Sequence, residues 1–498
     1  MENIFQYYNH LGFFNPYFIE NKLPYQFKPQ ISEVLKSKND PNELDVTSII
    51  GILSKGYIIG DRTLIKSVNK TPWFTKMVDD QWDSFDEIKF DEKNLDLSQI
   101  IDLLYHYLKE EVLEYVGTKK NVGVLLSGGM DSRMLAGVLD SLIKEGALTG
   151  VNIIAYTWGD LNCRDAVYSQ KIAARLGWSW KHFDITAEDF IDNIEMTAMR
   201  GSEYSPNHLH AMLKVRAEKD VDCILAASFG DSIGRGEYSG KSVLKLEDLR
   251  FNISNDLGFI KDKVYKKTVS AIDDDILRYW QRFPQQKKHQ QIEQDYQIHY
   301  MRRCLNPCLS VINEKISVYQ VFSSPKILKM IWSLDPALRN NDIYKGLLKK
   351  FRTDLGDIPW ARTGLKFDDT EGVPDNYLRS YERNIYSKII NKEIFDYIKA
   401  LALSESIQSL EVFNGRTLKK IFNIMQSPFY TYNIGLEEKL TWLASLSIFV
   451  SEYNVQHQKA IQSEDSLRDL ILSDKIVLEN CKFSLKTLYR RKYLKIRQ

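Results

Sequence analysis

The chain is poor in the features that would assign it quickly. It has five cysteines in 498 residues, no two of them in a C-x-x-C pair, and Cys304 with Cys308 lacks the second half of a zinc site. Reduced, mostly buried thiols of a cytoplasmic protein are expected from such usage. The start Met1-Glu2-Asn3-Ile4-Phe5 has no basic region before it turns apolar, and the longest apolar stretch, around Trp442–Val450, is short and broken by serine. Neither a leader nor a membrane-spanning helix is expected. The net charge is +1, which excludes bulk electrostatic attraction to nucleic acid. One local exception lies at the end of the chain. From Cys481 to Gln498 there are seven basic residues and no acid, which leaves 60 basic against 66 acidic residues elsewhere. That tail reads either as a solvated terminal helix or as a surface for anionic lipid or a partner.

What is present is concentrated in Val122–Ala136, V-G-V-L-L-S-G-G-M-D-S-R-M-L-A. Val122, Val124, Leu125 and Leu126 read as a buried strand. Met134, Leu135 and Val138, at helical spacing, read as the helix that follows. Between them Ser127-Gly128-Gly129-Met130-Asp131-Ser132 forms a glycine-rich turn at a helix start, where backbone N–H groups and the helix dipole favour phosphate. A Walker loop needs a lysine after its last glycine, and Met130-Asp131 stands there. A dinucleotide fingerprint needs a third glycine where Ser132 stands.

Alternating patterns continue on both sides. Ile100, Leu103, Leu104, Tyr107, Leu108 and Val112 predict an amphipathic helix over 97–115. Strands are predicted at Asn152–Trp158, Trp178–Ile185 and Cys223–Ala227, with helices at Arg164–Leu176, Glu188–Met199 and near His208–Glu218. Alternation of this kind predicts an α/β fold with a parallel, doubly wound sheet, and ligands at the carboxyl ends of its strands. Residues 1–115 read as a small strand-rich N-terminal unit, 116–374 as the sheet domain and 375–498 as a helical C-terminal region. Lys245–Gln294 is charged and weakly periodic and reads as exposed helices. His208 and His210 are two apart, on different faces of any helix, so a metal site is not expected there.

The loop Ser127–Ser132 resembles the pyrophosphate loop of the ATP pyrophosphatase group that includes asparagine synthetase, which implies an adenine nucleotide alpha-hydrolase-like fold. The resemblance implies that Ser127, Gly128, Gly129, Asp131 and Ser132 hold the pyrophosphate of ATP and that Asp131 helps hold Mg2+. It implies that the strand end at Thr157 contacts adenine through backbone groups. Ser228-Phe229-Gly230-Asp231 is similar to a second family segment, in which Gly230 lines the nucleotide site and Asp231 matches an aspartate near magnesium. Ser228 stands where the family has a glutamate. Ile358–Phe367 resembles the family's basic ending, but Gly364 falls at the lysine that faces the acyl-adenylate, leaving Arg362 and Lys366 as the nearby cations.

Ile49–Phe74, with Gly60-Asp61-Arg62-Thr63-Leu64, is similar to the later half of the family's glutaminase domain. That domain uses an N-terminal cysteine, and none occurs here before Cys163. A degenerate domain that hydrolyses no glutamine is therefore expected. The implied activity is an AMP-forming amide ligase that adenylates a small carboxylate with ATP and passes it to an amine. Asp131, Asp231, Arg362 and Lys366 carry the chemistry in that reading, with ATP and Mg2+ as cofactors and a homodimer or partner protein possible through the C-terminal region. The alternatives are a non-catalytic nucleotide-binding protein and a pyrophosphate-loop enzyme acting on tRNA.

Overall fold

A computed structural model describes residues 15–20, 22–38, 40–84, 93–238, 240–251, 253–377, 381–427, 430, 432–457 and 466–493. The first residues of the chain, and Lys495 and Arg497 of the basic tail, lie outside them. The elements used below are α1 (Val46–Lys55), α2 (Leu97–Val116), β1 (Asn121–Leu125), α3 (Met130–Lys144), β2 (Asn152–Trp158), α4 (Arg164–Leu176), β3 (Ser179–Phe183), α5 (Ala187–Met199), β4 (Cys223–Ala226), β5 (Val318–Gln320), α6 (Asn341–Lys350), α7 (Gly415–Met425), α8 (Ile434–Glu452) and α9 (Leu467–Tyr493).

Five parallel strands form one sheet in the order β5-β4-β1-β2-β3. The chain steps outward from β1 through β2 to β3, then returns to place β4 on the other side of β1, with Val122 opposite both Ile153 and Cys223. The direction of winding reverses between β1 and β4, so the crevice for a ligand opens at their carboxyl ends. Successive side chains of the strands serve two separate cores. Val122, Val124, Ile153, Ala155, Cys223 and Leu225 join one core with Ile100, Leu104 and Leu108 of α2 and Met134, Leu135 and Val138 of α3. Leu125, Tyr156, Ile224, Ala226 and Val318 join the other.

This second core holds Phe190 and Ile194 of α5, Ile49 and Ile50 of α1, and Leu440, Trp442, Leu443 and Leu446 of α8. N-terminal and C-terminal segments therefore meet on one face of the sheet. Asn42–Glu43 pairs in parallel with Val455–Gln456. The N-terminal unit combines short antiparallel strands, Tyr17–Ile19 with Val68–Lys70 and Thr75–Val78 with Gln81–Ser84, with α1. Asp45 caps α1 by accepting the N–H of Thr47, and Gly56 ends it at φ 87°, which a side chain disfavours. Among the described residues no helix is long and apolar enough to cross a membrane.

Two sequence expectations meet a physical counterforce. The predicted helix near His208–Glu218 is split into a turn at Pro206–Leu209 and a short helix at Met212–Arg216, because His210 takes a positive φ of 47° between them. Lys288–Asp295 is a helix whose Gln290, Gln291, Glu293, Gln294 and Asp295 are all buried, not exposed. Glu293 accepts Arg339 Nη2 at 2.6 Å and the Tyr238 hydroxyl at 2.8 Å, and a buried carboxylate is tolerated once paired in this way.

The N-terminal unit is clamped to the sheet domain by two buried arginines. Arg302 donates to Asp61 Oδ1 at 2.6 Å and to the Thr71 carbonyl at 3.0 Å. Arg303 donates to the carbonyls of Gly60 at 2.7 Å and Arg62 at 2.8 Å, and pairs with Glu203 at 3.1 Å. Glu203 also takes Lys70 at 2.9 Å. Removing one partner of such a buried set leaves the other charge in low dielectric, at a cost of about 3–5 kcal/mol. Arg303→Met is expected to lower unfolding stability by that amount in urea titrations, while a loss under about 1 kcal/mol would show the clamp to be dispensable.

Candidate functional site

The loop after β1 is held by its own serines. Ser127 Oγ accepts the N–H of Gly129 at 3.1 Å, and Ser132 Oγ accepts the N–H of Ser127 at 3.2 Å and lies 3.2 Å from Ser127 Oγ. Gly129 then caps α3, so the loop delivers Met130 and Asp131 as the first helical turn. Below it, the guanidinium of the fully buried Arg133 donates to the carbonyls of Gly128 at 3.2 Å, Leu355 at 3.2 Å, Ile358 at 2.6 Å and Pro359 at 2.8 Å. The Gly128 carbonyl also accepts the N–H of Ala361 at 3.1 Å. One arginine thus straps residues 355–361 onto the loop. It is cationic despite burial, which pushes its pKa down only to about 10.

The strap carries Arg362 to the crevice. Arg362 donates to Glu237 Oε1 at 2.5 Å and to Asp231 Oδ2 at 3.2 Å. Arg235 pairs with Asp231 and with Glu237 at 3.3 Å, and donates to Asn341 at 2.7 Å. Its guanidinium lies 5.2 Å from the ring of Tyr344, 5.6 Å from Trp360 and 5.9 Å from Phe367. Arg362 covers Trp360 at 4.6 Å. Aromatic faces stabilise both cations in place.

Asp131 reaches this cluster because the turn after β4 makes room for it. A Cβ at Gly230 would lie 2.6 Å from the Cβ of Asp131, so only glycine permits the approach. Asp131 Oδ1 accepts the Tyr344 hydroxyl at 3.0 Å. Burial raises its pKa to about 6, against the lowering effect of Arg235, of the Tyr344 hydrogen bond and of Arg362. Asp231 thus pairs with both arginines, whose charges also act on Asp131 across the switch point.

The other residues expected from the sequence fall as follows. The buried Thr157 gives its hydroxyl to the Leu126 carbonyl at 2.6 Å, tying β2 to the end of β1, so its side chain is committed to the fold. Ser228 is exposed, and its N–H donates to Gln320 of β5 at 2.9 Å. Lys366 is exposed, and its charge acts on Asp357, which pairs with Arg175. It is Arg362 that joins Asp231. Glu237–Tyr238 and Lys241–Ser242 pair as two short antiparallel strands, with Glu237 opposite Ser242.

Gly364 is occupied in a different sense. Its φ is 75°, and a Cβ there would lie 2.5 Å from the Arg164 guanidinium carbon. Arg164, nearly buried, pairs with Asp375 at 3.0 Å. A guanidinium from α4 therefore fills the space into which a side chain at 364 would grow. Gly364→Lys is expected to lower the thermal midpoint, since backbone and Arg164 both oppose it. An unchanged midpoint would show that Arg164 yields readily.

Several contributors carried no signal in the sequence reading. Each of Arg235, Glu237, Tyr344 and Trp360 is brought to the site by a partner more than a hundred residues away: Asn341 for Arg235, Arg362 for Glu237, Asp131 for Tyr344 and Arg235 for Trp360. Arg133 is visible only as a cation on the buried side of an amphipathic helix. Asp165 is the most unexpected. It accepts the N–H of Gly128 at 3.2 Å, placing a carboxylate against the Ser127–Ser132 loop.

Burial raises the Asp165 pKa from 3.8 to about 6, and the Gly128 hydrogen bond lowers it. An acid raised on folding makes the folded state take up a proton. Its ionisation then costs stability progressively as pH rises from about 4 to 6, and by a constant amount above that. The stability of Asp165→Asn relative to wild type is expected to increase across this window and to level off beyond it. A difference independent of pH would mean that Asp165 titrates as an ordinary carboxylate.

For a bound Mg2+, the donors of the crevice fit. Asp131 and Asp231 supply the one or two carboxylates that such an ion takes when substrate phosphates complete its shell. No group of three metal-binding side chains is assembled among the described residues.

With this geometry in hand, comparison with known proteins is informative at one point. Residues 104–298 match the family model for asparagine synthase. The match covers the loop, β1 to β4, Asp165, Asp231, Arg235 and Glu237, and ends before the strap that carries Arg362. No curated protein matches the chain.

Proposed function

We propose, from the asparagine synthetase-like domain over residues 104–298, that the chain is an AMP-forming amide ligase. A carboxylate oxygen attacks the α-phosphorus of ATP, the bond to the bridging oxygen breaks, and pyrophosphate leaves. An amine nitrogen then attacks the acyl carbon, AMP leaves, and the nitrogen loses a proton. The observation that carries this reading is the meeting of the Ser127–Ser132 loop with Asp131, Asp231, Arg235 and Arg362 at the β1/β4 switch point.

Ser127, Gly128, Gly129 and Ser132 bind the pyrophosphate moiety through hydroxyls and backbone N–H groups at the start of α3. Asp131 and Asp231 would hold Mg2+, which when bound offsets charge on the phosphates. Arg362, on the exposed side of the cluster, stabilises charge as the α-phosphate is attacked. Lys366 is the second candidate for that role. Thr157 and Gly230 shape the nucleotide site through backbone rather than side chains.

The N-terminal unit contributes packing rather than ammonia. Gly60, Asp61 and Arg62 are gripped by Arg302 and Arg303, a role that requires no thiol. With Ser228 a poor base near neutral pH, and with the Arg164 guanidinium, already paired with Asp375, in place of a side chain at Gly364, the acceptor is an amine larger than ammonia, positioned by its own binding energy.

The test is exchange of labelled pyrophosphate into ATP, run with Mg2+ and a panel of small carboxylates. Exchange supported by at least one carboxylate is expected, with AMP rather than ADP as product. Asp131→Asn should abolish it with the thermal midpoint at pH 7 unchanged or raised, because an ionised buried carboxylate is being removed. Arg362→Ala should slow it on the order of a hundredfold, and no glutamate should be released from glutamine. ADP and orthophosphate as products would overturn the reading. ATP binding with no exchange under any carboxylate would favour a nucleotide-binding protein without turnover, for which the Arg164 guanidinium beside Gly364 is the supporting observation.

A further inference from the structure

Beside the Ser127–Ser132 loop a carboxylate is already bound, and it belongs to the chain itself. Residues 369–374 are irregular and exposed throughout, with Val373 at 93%. The next residue, Asp375, turns inward. Its Oδ1 accepts Arg164 Nε at 3.0 Å and the N–H of Tyr377 at 3.3 Å, its Oδ2 accepts the Tyr168 hydroxyl, and its carbonyl accepts Arg164 Nη2 at 3.3 Å. The receiving groups belong to the body of the protein: the side chain of Arg164 is 8% exposed and Tyr168 is fully buried, against 26% for the side chain of Asp375.

Arg164 and Tyr168 are four apart, on one face of the first turns of α4. A Cβ at Gly128 would lie 2.9 Å from the Arg164 carbonyl oxygen and 3.0 Å from the Cβ of Tyr168, so this face stands against the loop. Burial raises the Tyr168 pKa and Asp375 raises it further, which keeps the hydroxyl a donor. A guanidinium and a phenol thus converge on the two oxygens of one carboxylate, each through a charge-assisted hydrogen bond.

What holds Asp375 there is the charge of Arg164 rather than burial, because the six residues that lead to it are exposed already. Arg164 left alone would be a buried charge without a partner, which is strongly unfavourable. The loop therefore leaves when another anion takes its place. Exchange, not simple opening, is the low-cost event.

We propose that Arg164 and Tyr168 form a carboxylate-binding site at the edge of the crevice, closed by Asp375 in the free protein and opened when a carboxylate of the ligand displaces it. Both oxygens of a group held in this way are engaged, so the ligand is anchored by it rather than attacked through it. A tethered carboxylate competes at an effective concentration on the order of millimolar, and the displacing ligand needs further contacts, which the adjoining loop supplies. That this ligand is the acyl donor rests on the ligase function; the site itself does not.

Acetate, the Asp375 side chain without its tether, is the probe. Asp375→Ala is expected to lower the thermal midpoint, and acetate to raise it again by several degrees over chloride at equal ionic strength, while the wild type hardly moves. Combining Arg164→Met with Asp375→Ala leaves no buried charge unpaired, so the double variant should fold and lose the response to acetate. Adding Tyr168→Phe to Asp375→Ala should weaken the response several-fold. In labelled pyrophosphate exchange, the carboxylate concentration giving half the maximal rate should fall about tenfold in Asp375→Ala. An Asp375→Ala chain that acetate stabilises no more than the wild type, a response that survives Arg164→Met, or an unchanged half-saturating concentration would overturn the proposal. Absence of exchange in wild type and variant alike would remove the ligase function and leave the acetate responses to decide the site.

Discussion

Arg133 holds together the parts of the site that the sequence keeps apart. Its buried guanidinium satisfies four backbone carbonyls, one from the loop and three from residues 355–359. Unpaired carbonyls in that setting would each cost about 1–3 kcal/mol, so the strap and the loop form as a unit. Everything at the mouth of the crevice follows from that unit. The Gly128 carbonyl is turned inward, Ala361 is fixed beside it, and Arg362 emerges over Trp360 within reach of Asp231 and Glu237.

A second constraint is the reversal of winding. Because β4 returns beside β1, the turn beginning at Gly230 meets the first turn of α3, and two aspartates distant in sequence come under the charges of Arg235 and Arg362. Neither strand alone makes a site. The close approach depends on the absence of a Cβ at Gly230, so a backbone property of β4's turn decides the environment of a side chain on α3.

The elements that the sequence predicts well are those whose ends are written locally. β2 and α4 have the predicted bounds, and α2 closes between the Asp96 capping box and Gly117. Apolar runs at β1, β2 and β4, alternating with helical patterns, reported a parallel sheet buried on both faces. The loop was legible because its chemistry sits in six consecutive residues. The charge cluster was not, because Arg362 pairs with residues 125 and 131 positions away, and no periodicity encodes that. Polar Lys288–Asp295 misled for the same reason: its burial depends on Arg339 and Tyr238, which a reading of local pattern does not see. His210 broke a predicted helix through a backbone angle that composition does not announce.

The electrostatics of the crevice have a consequence for what enters it. Asp131, Asp231 and Glu237 face Arg235 and Arg362, so the cluster carries one negative charge in excess once Asp131 ionises. With its pKa raised to about 6, Asp131 is ionised in most molecules at neutral pH, and the excess sits in a partly buried place where screening by salt is weak. A bare polyphosphate would meet the partial positive charge of α3 and the loop N–H groups at one end, and this excess of carboxylate at the other. The two ends favour different charges. A polyphosphate arriving with a divalent cation would satisfy both, with Asp131 and Asp231 the carboxylates that would hold the cation, whereas either alone would satisfy one. Arg235 and Arg362 are the cations at hand for Asp231, and both pair with it. Of the two arginines Arg362 is the more exposed, while Arg235 is held among three aromatic rings and Asn341.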